Sequence, residues 1–223
     1  MHNEVREALR VFANLERRVQ LISVRARTPA MNLPPSKEND AQRSVCVFCA
    51  SSNGIDPIFL EAARGLGEAI AQRGWELVYG GAHLGLMGAM ADAALRHGGS
   101  VTGVIPRALV EREIAHRGLT ELIETGSMHE RKAEMARLAD AFLVLPGGLG
   151  TLEEMCEILT WSVLGIHQKP VVLINIAGYW NALLGMLAAA VAAGFLRPAH
   201  RSLPLVASDA DAACEMVARL WAE

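Results

Sequence analysis

Two adjacent carboxylates, Glu153 and Glu154, follow three glycines within four residues, Gly147, Gly148 and Gly150, and two adjacent cations, Arg131 and Lys132, precede them. Carboxylates can orient or deprotonate a water, and a guanidinium or an ammonium can hold a phosphate. Glycines let the backbone approach a ligand closely, and the free N–H groups of a helix's first turn suit an anion. A carboxylate repels a phosphate beside it, so the glutamates need either a capping role or another partner. A sugar hydroxyl, a water or a cation would serve.

These groups need elements to position them. Residues 141–145 are a short apolar run that reads as a buried strand, Pro146 stops it, and Thr151 opens an apolar-periodic helix, with Thr151-Leu-Glu-Glu154 at the spacing of a capping box. Ser127-Met-His-Glu130 has the same spacing, which puts Arg131 and Lys132 in the early turns of a helix ending near Ala139. Cations there oppose the helix dipole, and two together point to a nearby anion. The plainer alternative is a surface pair of Arg131 with Glu134, with Lys132 in water.

The other segments alternate in the same manner. Residues 45–49, 76–79, 101–105 and 171–174 and a short piece near Leu205 read as strands, a helix spans 57–72, and apolar-faced helices fill the remaining intervals. The pattern implies βαβ units and hence an α/β fold, a Rossmann-like doubly wound parallel sheet with helices on both faces and ligands beyond the carboxyl ends of the strands. Two more segments fall at such ends, Ala50-Ser51-Ser52-Asn53-Gly54 and Gly80-Gly81-Ala-His-Leu-Gly85-Leu-Met-Gly88, with Ser51 and Gly81 as contact candidates. The second lacks both the G-x-G-x-x-G fingerprint and the G-K-[ST] ending, which weakens NAD and ATP readings, and tight helix packing explains its glycines equally well. The charged stretch with Glu111, Arg112 and Glu113 reads as a loop or short helix without a signal of its own.

The chain has 223 residues, 52% hydrophobic and 20% charged, with net charge −3, the balance of a globular protein with one sizeable core. Residues 1–43 hold seven Arg and one Lys against five acids, which leaves the body at about −6 and offers no nucleic-acid surface. They read as a docking or disordered extension with one amphipathic helix and a linker, and residues 44–223 as one α/β domain. Acids in the extension oppose a transit peptide, and four scattered cysteines fit a reducing cytoplasm. Cys46 and Cys49 match C-x-x-C but lie in a strand, where residues three apart face opposite ways, and no second pair completes a metal site. The longest apolar run, residues 182–196, is fifteen residues long, too short for a bilayer, and reads as a buried helix or a subunit contact.

Pro146-Gly-Gly-Leu-Gly-Thr-Leu-Glu-Glu154, preceded by Met128-His-Glu-Arg-Lys132, resembles the LONELY GUY (LOG) family of cytokinin riboside 5′-monophosphate phosphoribohydrolases, whose P-G-G-x-G-T-x-x-E pattern is met at every fixed position. Phe48-Cys-Ala-Ser-Ser52, Tyr79-Gly-Gly81 with Gly85-Leu-Met-Gly88, Lys169-Pro-Val171 and Gly178-Tyr-Trp-Asn181 agree with it. The resemblance covers the chain from about residue 45 and leaves 1–43 unplaced. It implies hydrolysis of the N-glycosidic bond of a nucleoside 5′-monophosphate to free base and ribose 5-phosphate, without a cofactor, by a Rossmann-type homodimer with its site near the subunit boundary. It also implies Arg131 and Glu154 as the catalytic pair and Glu113, Lys132, Gly148, Leu149, Gly150, Thr151, Leu152, Glu153 and Thr160 as substrate contacts.

The residues suit that chemistry. Breaking a C–N bond at the anomeric carbon builds positive charge on the ribose, which Glu154, one turn after Thr151, would offset, with Glu153 the second choice. Arg131 stays protonated, so it either grips phosphate or helps the leaving base. Phosphate grip remote from the reacting bond predicts that nucleosides lacking phosphate are poor substrates. Met87, Met128 and Leu149 are candidates for an apolar base pocket, or for packing alone. A nucleotide-binding sensor without catalysis and a ribosyl-phosphate transferase are the rival readings.

Overall fold

The computed structural model describes residues 42–110 and 115–223. At its centre lies β1 (Ser44–Phe48), every residue of which is buried. On one side of it stand β2 (Glu76–Tyr79), β3 (Val101–Pro106) and β4 (Glu121–Thr125), and on the other β5 (Ala141–Val144), β6 (Val171–Ile174) and β7 (Pro204–Ala207). All neighbours pair in parallel, Val45 lying between Leu77 and Ala141. The order β4-β3-β2-β1-β5-β6-β7 reverses the direction of winding between β1 and β5. Two successive loops therefore part at the carboxyl ends of these two strands and leave a crevice, the usual ligand position in such sheets.

Helices cover both faces, as the alternation predicts. One core joins the sheet to α1 (Pro57–Gln72), α2 (Gly85–Arg96) and, at the carboxyl terminus, α8 (Ala210–Ala222). The other joins it to α4 (Met128–Leu138), α5 (Leu149–Val163) and Trp180. Because both faces are buried, the strands read as near-continuous apolar runs rather than as alternating ones. Cys46 belongs to the second core and Cys49 to the first, so the two thiols do face opposite ways. The short α3 (Arg107–Val110) and α7 (Pro198–Arg201) and the helix α6 (Asn181–Ala192) complete the described elements.

Local chemistry sets the helix starts. Asp56 caps α1 by accepting the Ile58 N–H at 3.0 Å, with Pro57 in the first turn. At α4, Ser127 Oγ accepts the Glu130 N–H at 3.1 Å and Glu130 returns to the Gly126 N–H at 2.7 Å, a capping box displaced by one residue.

Three expectations change. First, α5 begins at Leu149 with Gly148 as its cap, so Thr151 is a buried residue of the first turn and forms no capping box with Glu154. Second, the charged stretch after β3 is followed by a strand, β4, which sequence reading passed over because it is a half-exposed edge with Glu121 and Glu124 among its five residues. Third, the apolar run at 182–196 is not a buried helix, since none of the residues of α6 is buried. The expected amphipathic helix and linker in residues 1–41, and Glu113, lie outside the described residues.

Candidate active site

A cleft of about 270 Å³ opens at the crevice between β1 and β5. Cys49, Ala50, Ser51 and Ser52 line it from the β1 loop, Met87 from α2, Met128 and Arg131 from α4, and Gly148, Leu149, Gly150, Thr151, Glu153 and Glu154 from α5. The sheet topology thus gathers residues that are far apart in the chain at one place.

The start of α5 forms one wall. Its first intrahelical bond runs from the Leu152 N–H to the Gly148 carbonyl at 3.0 Å, so the amides of Leu149, Gly150 and Thr151 come before the ladder, and no side chain caps them. Free amides at a helix start suit an anion. Gly147 is required where the strand turns into this helix, because a Cβ there would stand 2.1 Å from Thr151 Oγ1.

Arg131 and Glu154 form the floor. Both are nearly buried, with side-chain exposures of 5% and 7%, and Arg131 Nη1 lies 4.0 Å from Glu154 Oε1. The guanidinium is tied to main chain under the sheet's end: Nε donates to the Val104 carbonyl at 3.0 Å and Nη2 to the Gly80 carbonyl at 3.1 Å. Those two nitrogens are the fork that would clasp a phosphate bidentately, and here they are occupied. Nη1 remains directed at Glu154 and at Met128 Sδ, 3.9 Å away. A Cβ at Gly80 would lie 2.1 Å from Nη2, so this arginine position needs glycine beneath it.

Lys132 is placed differently from the expectation. Its ammonium pairs with Glu153 and, at 3.1 Å, with Glu157, and it does not line the cleft. Burial alone would lower its pKa, but the hydrogen bonds and charges of Glu153 and Glu157 outweigh that and raise it above the ordinary lysine value. The lysine fastens α4 to α5 and holds Glu153 at the rim. Glu157, one turn beyond Glu153, was not singled out from sequence, where an i, i+4 pair of acids on a helix looks like a solvated face.

The remaining candidates separate. Ser51 lines the cleft, whereas Leu152 packs half-buried against the second core. Gly81 lies outside the cleft: it takes φ +80°, and its carbonyl accepts the His116 N–H at 2.9 Å. Thr160 stands exposed near the far end of α5, its hydroxyl donating to the Cys156 carbonyl at 2.7 Å, and does not reach this cleft. Cys49, the second cysteine of the C-x-x-C match, borders the cleft. Burial, with Glu154 adding, pushes its thiol far above the ordinary range, so it remains a neutral packing group.

A model of the family described as "possible lysine decarboxylase" matches residues 87–217. The protein LOGL9 of Oryza sativa subsp. japonica, named a probable cytokinin riboside 5′-monophosphate phosphoribohydrolase, is 52% identical over 168 residues, 75% of this chain and 74% of its own. A cytokinin riboside 5′-monophosphate phosphoribohydrolase of Rhodococcoides fascians is 47% identical over 191 residues, 82% of this chain and 96% of its own. Among solved structures, the molybdenum cofactor carrier protein of Chlamydomonas reinhardtii shares the fold with a TM-score of 0.65 at 25% identity, over 82% of this chain and 100% of that one. With this identity spread across most of the chain, and with the glycine turn, Arg131 and Glu154 meeting at one cleft, the protein belongs to the LONELY GUY family.

Proposed function

We propose that this chain hydrolyses the N-glycosidic bond of purine nucleoside 5′-monophosphates, cytokinin nucleotides among them, to the free base and ribose 5-phosphate. The observation that carries the reading is that one helix, α5, supplies both the uncapped amides of its first turn and, at its fifth residue position after Leu149, the buried carboxylate of Glu154. A phosphate on the amides leaves the attached ribose to extend along the first turn toward Glu154, which answers how a carboxylate tolerates a phosphate nearby: the sugar lies between them.

In this mechanism the phosphate is held by the amides of residues 149–151, and its binding energy positions the anomeric carbon. As the C–N bond lengthens, its electron pair goes to the departing base, which is protonated from solvent, and the ribose takes on positive charge, which Glu154 stabilises while it orients the attacking water and accepts its proton. Arg131 acts as a fixed cation behind Glu154 rather than as a phosphate clamp, because its Nε and Nη2 already serve main-chain carbonyls. The base would lie toward Met87, Met128 and Leu149, the apolar side of the cleft.

A lysine-dependent decarboxylation finds no support among the described residues. Lys132 is paired with Glu153 and Glu157, Lys169 donates to the Ala136 carbonyl at 2.7 Å, and neither lines the cleft. We further assign α6 to contact with a second copy of the chain. It is almost wholly apolar and has no buried residue, Met186 is 59% exposed, and Phe195 just beyond is 89% exposed.

The test is incubation of the purified protein with AMP and with N6-isopentenyladenosine monophosphate, without added acceptor, following products by chromatography. Free base and ribose 5-phosphate in equal amounts are expected. Intact nucleotide would indicate a binding protein, and release only upon addition of a ribosyl acceptor would indicate a transferase.

A further inference from the structure

We propose that Tyr179 is a positioning residue that sets the direction of the Gly148 amide and so adds that amide to the phosphate cradle of residues 149–151. The inference rests on the reading of that cradle given above and extends it to a residue on another segment of the chain.

The turn from β5 to α5 carries three consecutive carbonyls, each held by a different partner. Pro146 O accepts the Ala50 N–H at 3.4 Å, Gly147 O accepts the Tyr179 hydroxyl at 2.7 Å, and Gly148 O accepts the Leu152 N–H at 3.0 Å. In a trans planar peptide the C=O and the following N–H point in opposite directions. Pinning those carbonyls therefore aims the N–H groups of Gly147, Gly148 and Leu149 the other way, and Gly148 and Leu149 line the cleft. The first and third of these carbonyls are held by main chain, whereas the middle one is held by a side chain.

That middle peptide joins two glycines. With no Cβ on either side, rotation of the plane meets little steric resistance, and a reversed plane would put the Gly147 carbonyl, an acceptor, where a phosphate oxygen belongs. An anion site built on such a link needs an external restraint, which the phenol supplies. The ring itself is fixed edge-on against Phe59 of α1, with centroids 5.9 Å apart, and against Trp180, at 4.9 Å.

The segment that delivers Tyr179 is locally unusual. After β6, a 3-10 turn (Ile176–Gly178) contains Ala177 at φ 51° and Gly178 at φ 73°, both left-handed, and non-glycine residues rarely adopt that region. Asn175 brackets it, its Oδ1 accepting the Trp180 N–H at 2.7 Å and its Nδ2 donating to Asn181 Oδ1 at 2.9 Å. The turn holds the tyrosine against the neighbouring loop.

The experiment compares the wild type with Tyr179→Phe, which keeps the ring contacts and removes the hydroxyl. Calorimetric affinities are measured for ribose 5-phosphate and for adenosine, with KM and kcat for AMP and a thermal melt as controls. Loss of the hydroxyl should weaken ribose 5-phosphate and raise KM for AMP by about three- to tenfold, the scale of one hydrogen bond, with kcat and adenosine affinity changed less than about twofold. Equal weakening of both ligands, or of neither, at unchanged melting temperature would overturn the role of Tyr179 while leaving the cradle intact. A wild type with no measurable affinity for ribose 5-phosphate would overturn the cradle itself and this role with it.

Discussion

Arg131 and Glu154 face each other across 4.0 Å at the bottom of the cleft, and the arginine reaches that position with its Nε and Nη2 already bound to the Val104 and Gly80 carbonyls. Its place is fixed by the sheet rather than by the ligand. Arg131→Lys retains the charge but cannot span both carbonyls and still face Glu154. Base release from AMP should fall about 100-fold or more with the fold kept, whereas Arg131→Ala, which leaves Glu154 buried without its cation, should cost about 3–5 kcal/mol in denaturant melts.

The glycines beneath these groups give a second prediction. Gly80→Ala puts a methyl 2.1 Å from Arg131 Nη2, and Gly147→Ala puts one 2.1 Å from Thr151 Oγ1. Each should destabilise by about 1–3 kcal/mol. Their kinetics should differ, Gly80→Ala lowering kcat by displacing the arginine and Gly147→Ala raising KM by deforming the cradle, as steady-state assays with AMP would show.

Lys132 should act through Glu153 and Glu157 rather than on the phosphate. Lys132→Met leaves Glu153 at the rim and Glu157 one turn behind it without their cation, and KM for AMP should rise about tenfold, the scale of a charge-assisted hydrogen bond. Because its folded-state pKa is raised, the stability it contributes is fully present up to the ordinary lysine value of 10.5 and is lost as pH rises through the folded-state value above that. Melts of the wild type and Lys132→Met should therefore differ by a constant amount between pH 6 and 9 and converge in strong alkali.

His167 carries the acid-side dependence. It is buried, its Nε2 is 3.0 Å from the Ile158 carbonyl, and its Nδ1 accepts the Lys169 N–H at 3.1 Å, a pattern only the neutral Nε2–H tautomer satisfies. Burial lowers its pKa below the ordinary 6.5, the bond to Ile158 opposes the shift in part, and the charge of Lys169 adds to it. Below about pH 6.5 the unfolded chain takes up this proton first, so stability falls with pH until the folded-state value is passed. Melts from pH 7.5 to 4.5 should show this loss, and it should be smaller in His167→Gln.

Much of this arrangement could be read from the residues because local and global signals agree in them. The apolar runs of β1, β5 and β6 and the cap at Ser127 each specify their own element, and the alternation of elements then specifies the sheet. The start of α5 was misplaced because Thr151-Leu-Glu-Glu154 imitates a capping box, while the true cap is a glycine with no side chain to reveal it. β4 escaped because an edge strand carrying two glutamates lacks the apolar continuity of its neighbours. At the site, Arg131 and Glu154 were legible by type and family pattern, but the burial of Lys132 between Glu153 and Glu157 depends on how α4 and α5 face each other. The bond from Tyr179 to Gly147 joins residues 32 positions apart, and no local pattern announces it.

The most direct test is Glu154→Gln, assayed for release of adenine from AMP and, in parallel, for AMP binding by calorimetry. The account predicts that base release falls by about 10²- to 10⁴-fold while AMP affinity stays within about threefold of wild type, since the amide cradle is untouched. Release at the wild-type rate would contradict it, as would a loss of binding equal to the loss of rate.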